Sequence, residues 1–77
     1  MVSAYILITA EAGEAGEIVK RATDIEGVKS VNAVTGPYDA IAFVEAPDFN
    51  ALGNLVVAKI QRIKGVIRTL TCIQVEL

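Results

Sequence analysis

Apolar residues alternate along the first segment of the chain. In Val2 to Ala10 (VSAYILITA), Ala4, Ile6 and Ile8 fall on one side, and Tyr5 and Leu7 fall on the other. The stretch is rich in β-branched and aromatic residues and short for a helix, so it predicts a strand. From Glu14 to Asp24 the rhythm changes. Ala15, Ile18, Val19 and Ala22, followed by Ile25, recur at spacings of three and four, while Glu17 can pair with Lys20 or Arg21 on the wet side. That is an amphipathic helix. Glu11, Glu14 and Glu17 suit the positive end of its dipole, and Gly27 supplies an exit.

Val28 to Thr35 (VKSVNAVT) reads as a second strand, Gly36-Pro37-Tyr38 as a turn, and Asp39 to Ala46 (DAIAFVEA) as a third strand, together a hairpin. After Pro47, Asp48 is a suitable N-cap for a second helix with Phe49, Leu52, Leu55, Val56, Ile60 and Ile63 on its buried side; Gly53 weakens that helix. Lys59, Arg62 and Lys64 complement its negative end, and Gly65 precedes a last strand from Val66 to Val75. Ile25-Glu26-Gly27-Val28 and Ile63-Lys64-Gly65-Val66 echo each other where a helix hands over to a strand. The order βαββαβ with right-handed crossovers predicts an α+β, ferredoxin-like sandwich: a four-stranded antiparallel sheet, strand order 4-1-3-2, with both helices on one face.

Two helices cannot cover both faces of that sheet, yet its strands are apolar on both. Tyr5 and Leu7 oppose the core side of the first strand. In the third strand Ala42 and Val44 oppose Ile41 and Phe43, and in the last Leu70 and Cys72 oppose Ile67, Ile73 and Val75. An apolar face recurring in three strands predicts association with a second copy, sheet against sheet about a two-fold, as in a dimeric α/β barrel. Edge strands offer contacts for higher oligomers.

Length and composition narrow the rest. Seventy-seven residues make one domain, and 53% hydrophobic residues exclude disorder. A domain this small buries only about 60% of the surface its unfolded chain exposes, a further reason to expect help from a partner chain. A net charge of −2 is the wrong sign for holding a phosphate backbone. The lone Cys72, the lack of a secretory leader pattern and the shortness of every apolar run predict a cytoplasmic protein with no membrane span. With no His and no Cys-x-x-Cys, neither a metal site nor a His-based acid/base device is expected; no cofactor is called for, and Cys72 reads as a small strand residue. Phe43 beside Glu45 is no RNA-stacking platform.

The chemistry that remains gathers at Gly36-Pro37-Tyr38-Asp39: a Gly free to take positive φ, a rigid Pro, a phenol and a carboxylate. By itself the stretch fits a tight hairpin whose Asp39 bonds its own turn and whose Tyr38 caps the sandwich edge. Thr69 and Thr71, two apart on one side of the last strand, fit either a site or an ordinary strand.

Val34-Thr35-Gly36-Pro37-Tyr38-Asp39, followed by Gly65-Val66-Ile67-Arg68-Thr69-Leu70-Thr71, resembles the effector-binding (RAM) half of the Lrp/AsnC feast/famine regulators over nearly the whole chain. The resemblance implies dimerisation through the sheet, rings of dimers, and an amino acid or related small molecule held in clefts between dimers. It makes Gly36, Tyr38 and Asp39 ligand-lining residues, with Thr69 and Thr71 as further candidates. Main-chain N–H groups of the Gly turn would hold an α-carboxylate, and Asp39 would accept from an α-ammonium. Arg68 belongs to the pattern but equally fits an ion-pairing role on an edge strand. Full regulators carry a helix-turn-helix domain before this one, whereas here a strand is predicted from Val2, so a stand-alone domain without direct DNA reading is expected.

The leading expectation is therefore a non-enzymatic, self-associating effector-binding module that modulates transcription or amino-acid metabolism through partners, full-length Lrp/AsnC-type regulators among them. Two alternatives share the fold: a small dimeric α+β-barrel enzyme of monooxygenase or isomerase type, and an ACT-like regulatory domain. Turnover lost with one polar barrel residue would mark the first; the usual tether to an enzyme would mark the second.

Overall fold

A computed structural model describes all of residues 1–77, in the element order β1 (Val2–Ala10), α1 (Ala15–Thr23), β2 (Val28–Ala33), β3 (Ala40–Ala46), α2 (Phe49–Asn54) and β4 (Val66–Ile73). α2 continues without a break into a π-helical segment, Leu55–Ile60. The sheet order β2-β3-β1-β4 and the antiparallel pairing throughout agree with the predicted sandwich.

Register decides which side chains meet the helices. Ala4, Ile6 and Ile8 of β1 lie opposite Val44, Ala42 and Ala40 of β3, and all six are fully buried. The small side chains on β3 leave room for the inward stripes of the helices: Ile18 and Ala22 from α1, and Leu52, Leu55, Val56 and Ile60 from the second helix. Both hand-overs from helix to strand use a glycine at positive φ, Gly27 at +96° and Gly65 at +98°, where the chain is also tightly packed. A Cβ at Gly27 would stand 2.7 Å from Leu55 Cδ1, and one at Gly65 would stand 2.7 Å from Glu14 Cβ. The echo between the halves is thus a repeated packing requirement.

The Asp48 carboxylate caps α2 as expected, accepting from the Ala51 N–H at 2.7 Å. Phe49 departs from expectation: it is 67% exposed rather than buried. The inward face of this helix is Leu52-Leu55-Val56-Ile60, and Phe49 starts the opposite ridge with exposed Gly53 and Val57. The widened turn is closed by Gln61 N–H donating to the Val56 carbonyl at 2.8 Å, a bond five residues back. Ile63 is half-buried against the core.

Three strands are shorter than the sequence suggests. β2 stops at Ala33 and β3 begins at Ala40, so the link between them is six residues, Val34 to Asp39, and β4 stops at Ile73. No helix is long and apolar enough to cross a membrane.

Candidate functional site

Asp39 organises the link between β2 and β3. Its carboxylate Oδ2 accepts from the Ala10 N–H at 2.7 Å, its own N–H donates to the Ile8 carbonyl at 2.9 Å, and its carbonyl accepts from the Val34 N–H at 3.0 Å. One residue therefore ties together the ends of β1, β2 and β3. The sequence suggests an Asp39 that bonds within its own turn; the structure directs the side chain to a different strand instead. Its Oδ1 makes no hydrogen bond within the chain.

This anchoring presents the rest of the link. Gly36 sits at φ +126° with nothing within 4 Å of the place a Cβ would take, so its backbone, not crowding, requires glycine. Pro37 is exposed and Tyr38 half-buried.

Thr69 and Thr71 lie elsewhere. They stand opposite Ile8 and Ile6 across β1, on the helix side of edge strand β4, with Thr69 half-buried and Thr71 exposed. Thr69 Oγ1 accepts from Gln61 Nε2 at 2.8 Å, a partner that no spacing in the sequence singles out. Ala40 and Thr69 are both partners of Ile8, so the turn and the threonines are separated by the width of β1, on the order of 10 Å across two strand spacings. None of the four surface clefts of the chain is lined by Gly36, Tyr38, Asp39 or Thr71. Thr69 borders one of about 420 Å³ with Gln61, Val66, Ile67 and Arg68. One chain brings Gly36, Tyr38 and Asp39 together, and does not bring the threonines to them.

The sheet face away from the helices is apolar, as its alternation requires. Tyr5 pairs with Phe43 and Cys72, and Leu7 pairs with Ile41 and Leu70, giving a contiguous patch across β3, β1 and β4. Tyr5 and Phe43 stack with ring centroids 4.9 Å apart and planes tilted by 46°. Tyr5 remains 45% and Leu70 49% exposed, and Cys72 is exposed. At the rim, Lys29 faces Glu45 at 3.8 Å.

A βαββαβ sandwich with an open apolar sheet face and a Gly-Pro-Tyr-Asp link at the end of that sheet is the architecture of a small regulatory ligand-binding domain. The chain belongs to the Lrp/AsnC ligand binding domain family, whose model matches residues 3–76. Among solved structures it is similar to TTHA0845 from Thermus thermophilus, at 30% identity and a TM-score of 0.93, covering 100% of this chain and 96% of that one. It is also similar to FFRP-DM1, at 31% identity and a TM-score of 0.92, covering 97% and 100%. The feast or famine regulatory protein Rv3291c from M. tuberculosis, complexed with L-methionine, superposes with a TM-score of 0.81 at 26% identity, covering 100% of this chain and 52% of that one. The homocitrate synthase of Sulfurisphaera tokodaii is 43% identical over 54 residues, which are 70% of this chain and 12% of that enzyme. The chain thus spans about an eighth of the length of that relative.

Proposed function

We propose that this chain is a cytoplasmic, non-enzymatic effector-binding module that works as an oligomer and senses an amino acid or a closely related small molecule. The observation that carries the reading is the division of labour between the open sheet face and the Asp39-anchored link. Tyr5, Leu7, Ile41, Phe43, Leu70 and Cys72 form an apolar surface that a second copy shelters through a two-fold, sheet on sheet. Gly36, Tyr38 and Asp39 then offer main-chain N–H groups, a phenol and a free carboxylate oxygen at the sheet's end, and another chain closes the cleft around them. Thr69 and Thr71, too far from the link within one chain, join a cleft where a neighbouring copy brings its β4 alongside. Rv3291c, a relative with the same fold, is described in complex with L-methionine, which supports an amino acid as the class of ligand.

The test is a thermal-shift panel of the twenty common amino acids, run beside light scattering. A ligand at 100 times its Kd stabilises the folded state by about 2.7 kcal/mol. The wild-type chain is expected to shift with one or a few amino acids and to scatter as a dimer or larger. No shift at millimolar concentrations sinks the effector reading, and a monomer at micromolar concentrations sinks the association reading.

The likeness to a 54-residue portion of homocitrate synthase favours a second reading of the output. In that reading the bound effector is reported to a biosynthetic enzyme rather than to a full-length Lrp/AsnC-type regulator. Mixing the chain with each kind of purified partner, with and without the effector found in the panel, separates the two by which complex forms.

A further inference from the structure

The outer surface of the helix layer carries a charge cluster that neither the open sheet face nor the Gly36–Asp39 link uses. Between α1 and the π-helical segment lies a shallow groove of about 480 Å³ lined by Arg21, Ile25, Lys59, Arg62, Ile63 and Lys64. Four of the chain's seven Lys and Arg residues meet there, on a chain of net charge −2, and no carboxylate lines the groove. Of the four cations only Arg21 has an ionic partner, Glu17 at 3.1 Å, in a pair whose side chains are 62% and 50% exposed. Helix dipoles suit Arg21, in the last turn of α1, and Lys59, Arg62 and Lys64, at the negative end of the second helix. They leave the gathering without counter-charges: Lys59, Arg62 and Lys64 have no ionic partner in the chain.

We propose that this groove docks an acidic peptide segment of a partner protein, built around one apolar anchor residue. Like charges collected without counter-charges call for an anionic partner, and the half-buried Ile25 and Ile63 between them offer an apolar seat. A compact oxyanion suits the groove less. The donors here are exposed side chains spread along the groove rather than groups converging on one point, so they match charges distributed along a chain better than a single compact oxyanion.

The test uses the whole chain and a fluorescent synthetic peptide of Asp and Glu residues with one central Leu, read by anisotropy. Binding is expected, weakening about tenfold in the double variant Arg62→Glu/Lys64→Glu and again when the peptide's Leu is replaced by Ser. Both substituted residues are exposed, so an unchanged melting temperature shows that the variant folds. The proposal is overturned if the peptide fails to bind or if the double variant binds it equally. Unchanged binding of the Ser peptide removes the anchor and overturns it also. Displacement by inorganic triphosphate at equal concentration makes the groove a small-anion site, and salt-sensitive self-association lost in the double variant makes it a contact between copies; either overturns it. The proposal is independent of the effector reading, since none of the groove's six lining residues belongs to the Gly36–Asp39 link.

Discussion

The carboxylate of Asp39 accepts a hydrogen bond from the main-chain N–H of Ala10, 29 residues earlier, at 2.7 Å. The bond satisfies a part-buried donor at the point where β1 has passed the end of its pairing with β3, and it fixes where the Gly36–Tyr38 segment leaves the sheet. Removing a charged acceptor from such a donor costs about 1–3 kcal/mol. Asp39→Ala is therefore expected to destabilise the chain by that amount without any ligand, whereas Asp39→Asn, which keeps an acceptor oxygen, loses less than half of it. Urea unfolding at one fixed protein concentration measures both, and equal losses would show that the bond to Ala10 contributes little.

The same two variants separate scaffold from ligand contact. If the free oxygen of Asp39 accepts from an α-ammonium, Asp39→Asn keeps most of the fold's stability and still loses most of the amino-acid-induced thermal shift. A full shift in the Asn variant would reduce Asp39 to a scaffold residue and leave Gly36 and Tyr38 as the ligand-facing part of the link.

Gly36 and Gly53 both stand in open space, with nothing within 4 Å of a built Cβ, yet substitution by Ala is expected to act in opposite directions. Gly53 lies inside α2 at ordinary helical φ, so Gly53→Ala adds helix propensity and removes freedom from the unfolded chain, a gain of about 0.5–1 kcal/mol. Gly36 has φ +126°, which an L side chain resists, so Gly36→Ala costs on the order of 1–3 kcal/mol or shifts the link. Melting temperatures of the two variants, moving apart from wild type, check the contrast. A lower melting temperature for Gly53→Ala would mean that the widened helix needs its glycine.

The sequence carries the fold clearly and the site only in part. Strands alternating in β1, β3 and β4, helical spacing from Ala15 and from Leu52, and glycines at both hand-overs leave few topologies open. Phe49 is misplaced by the pattern because a stripe of three- and four-residue spacings extends equally well to it and to Leu52; only the packing shows that Phe49-Gly53-Val57 is the outer ridge. The π-helical turn is not foreseen by the spacing, which fits an ordinary helix equally well; within it Leu55, Val56 and Ile60 are all buried. At the link, the Gly-Pro-Tyr-Asp pattern is visible, but the Asp39 partner is not, because a main-chain donor on another strand has no side-chain signature. The separate placement of Thr69 and Thr71 follows from β4 being an edge strand beyond β1, which orders the strands but says nothing of a neighbouring copy.

The association surface is open to a decisive substitution. Leu70 is 49% exposed on the open sheet face, opposite Leu7, while Phe49 is 67% exposed on the helix layer. Neither belongs to the buried core, so a polar replacement at either is expected to change the stability of the isolated chain by only about 0.5 kcal/mol. Their effects on association should differ sharply. A stable sheet-on-sheet dimer needs roughly 800 Å² from each partner, an area that reaches across β3, β1 and β4 and places Leu70 inside the contact. Leu70→Glu would then bury an unpaired carboxylate among Tyr5, Leu7 and Phe43, at a cost of about 3 kcal/mol or more, which weakens the dimer on the order of 100-fold or more. Phe49→Ser lies on the other layer and should leave the dimer intact. Sedimentation velocity over a dilution series distinguishes the outcomes. Dissociation confined to Leu70→Glu places the interface on the sheet, dissociation confined to Phe49→Ser moves it to the helix layer, and a wild-type chain that sediments as a monomer removes the interface altogether.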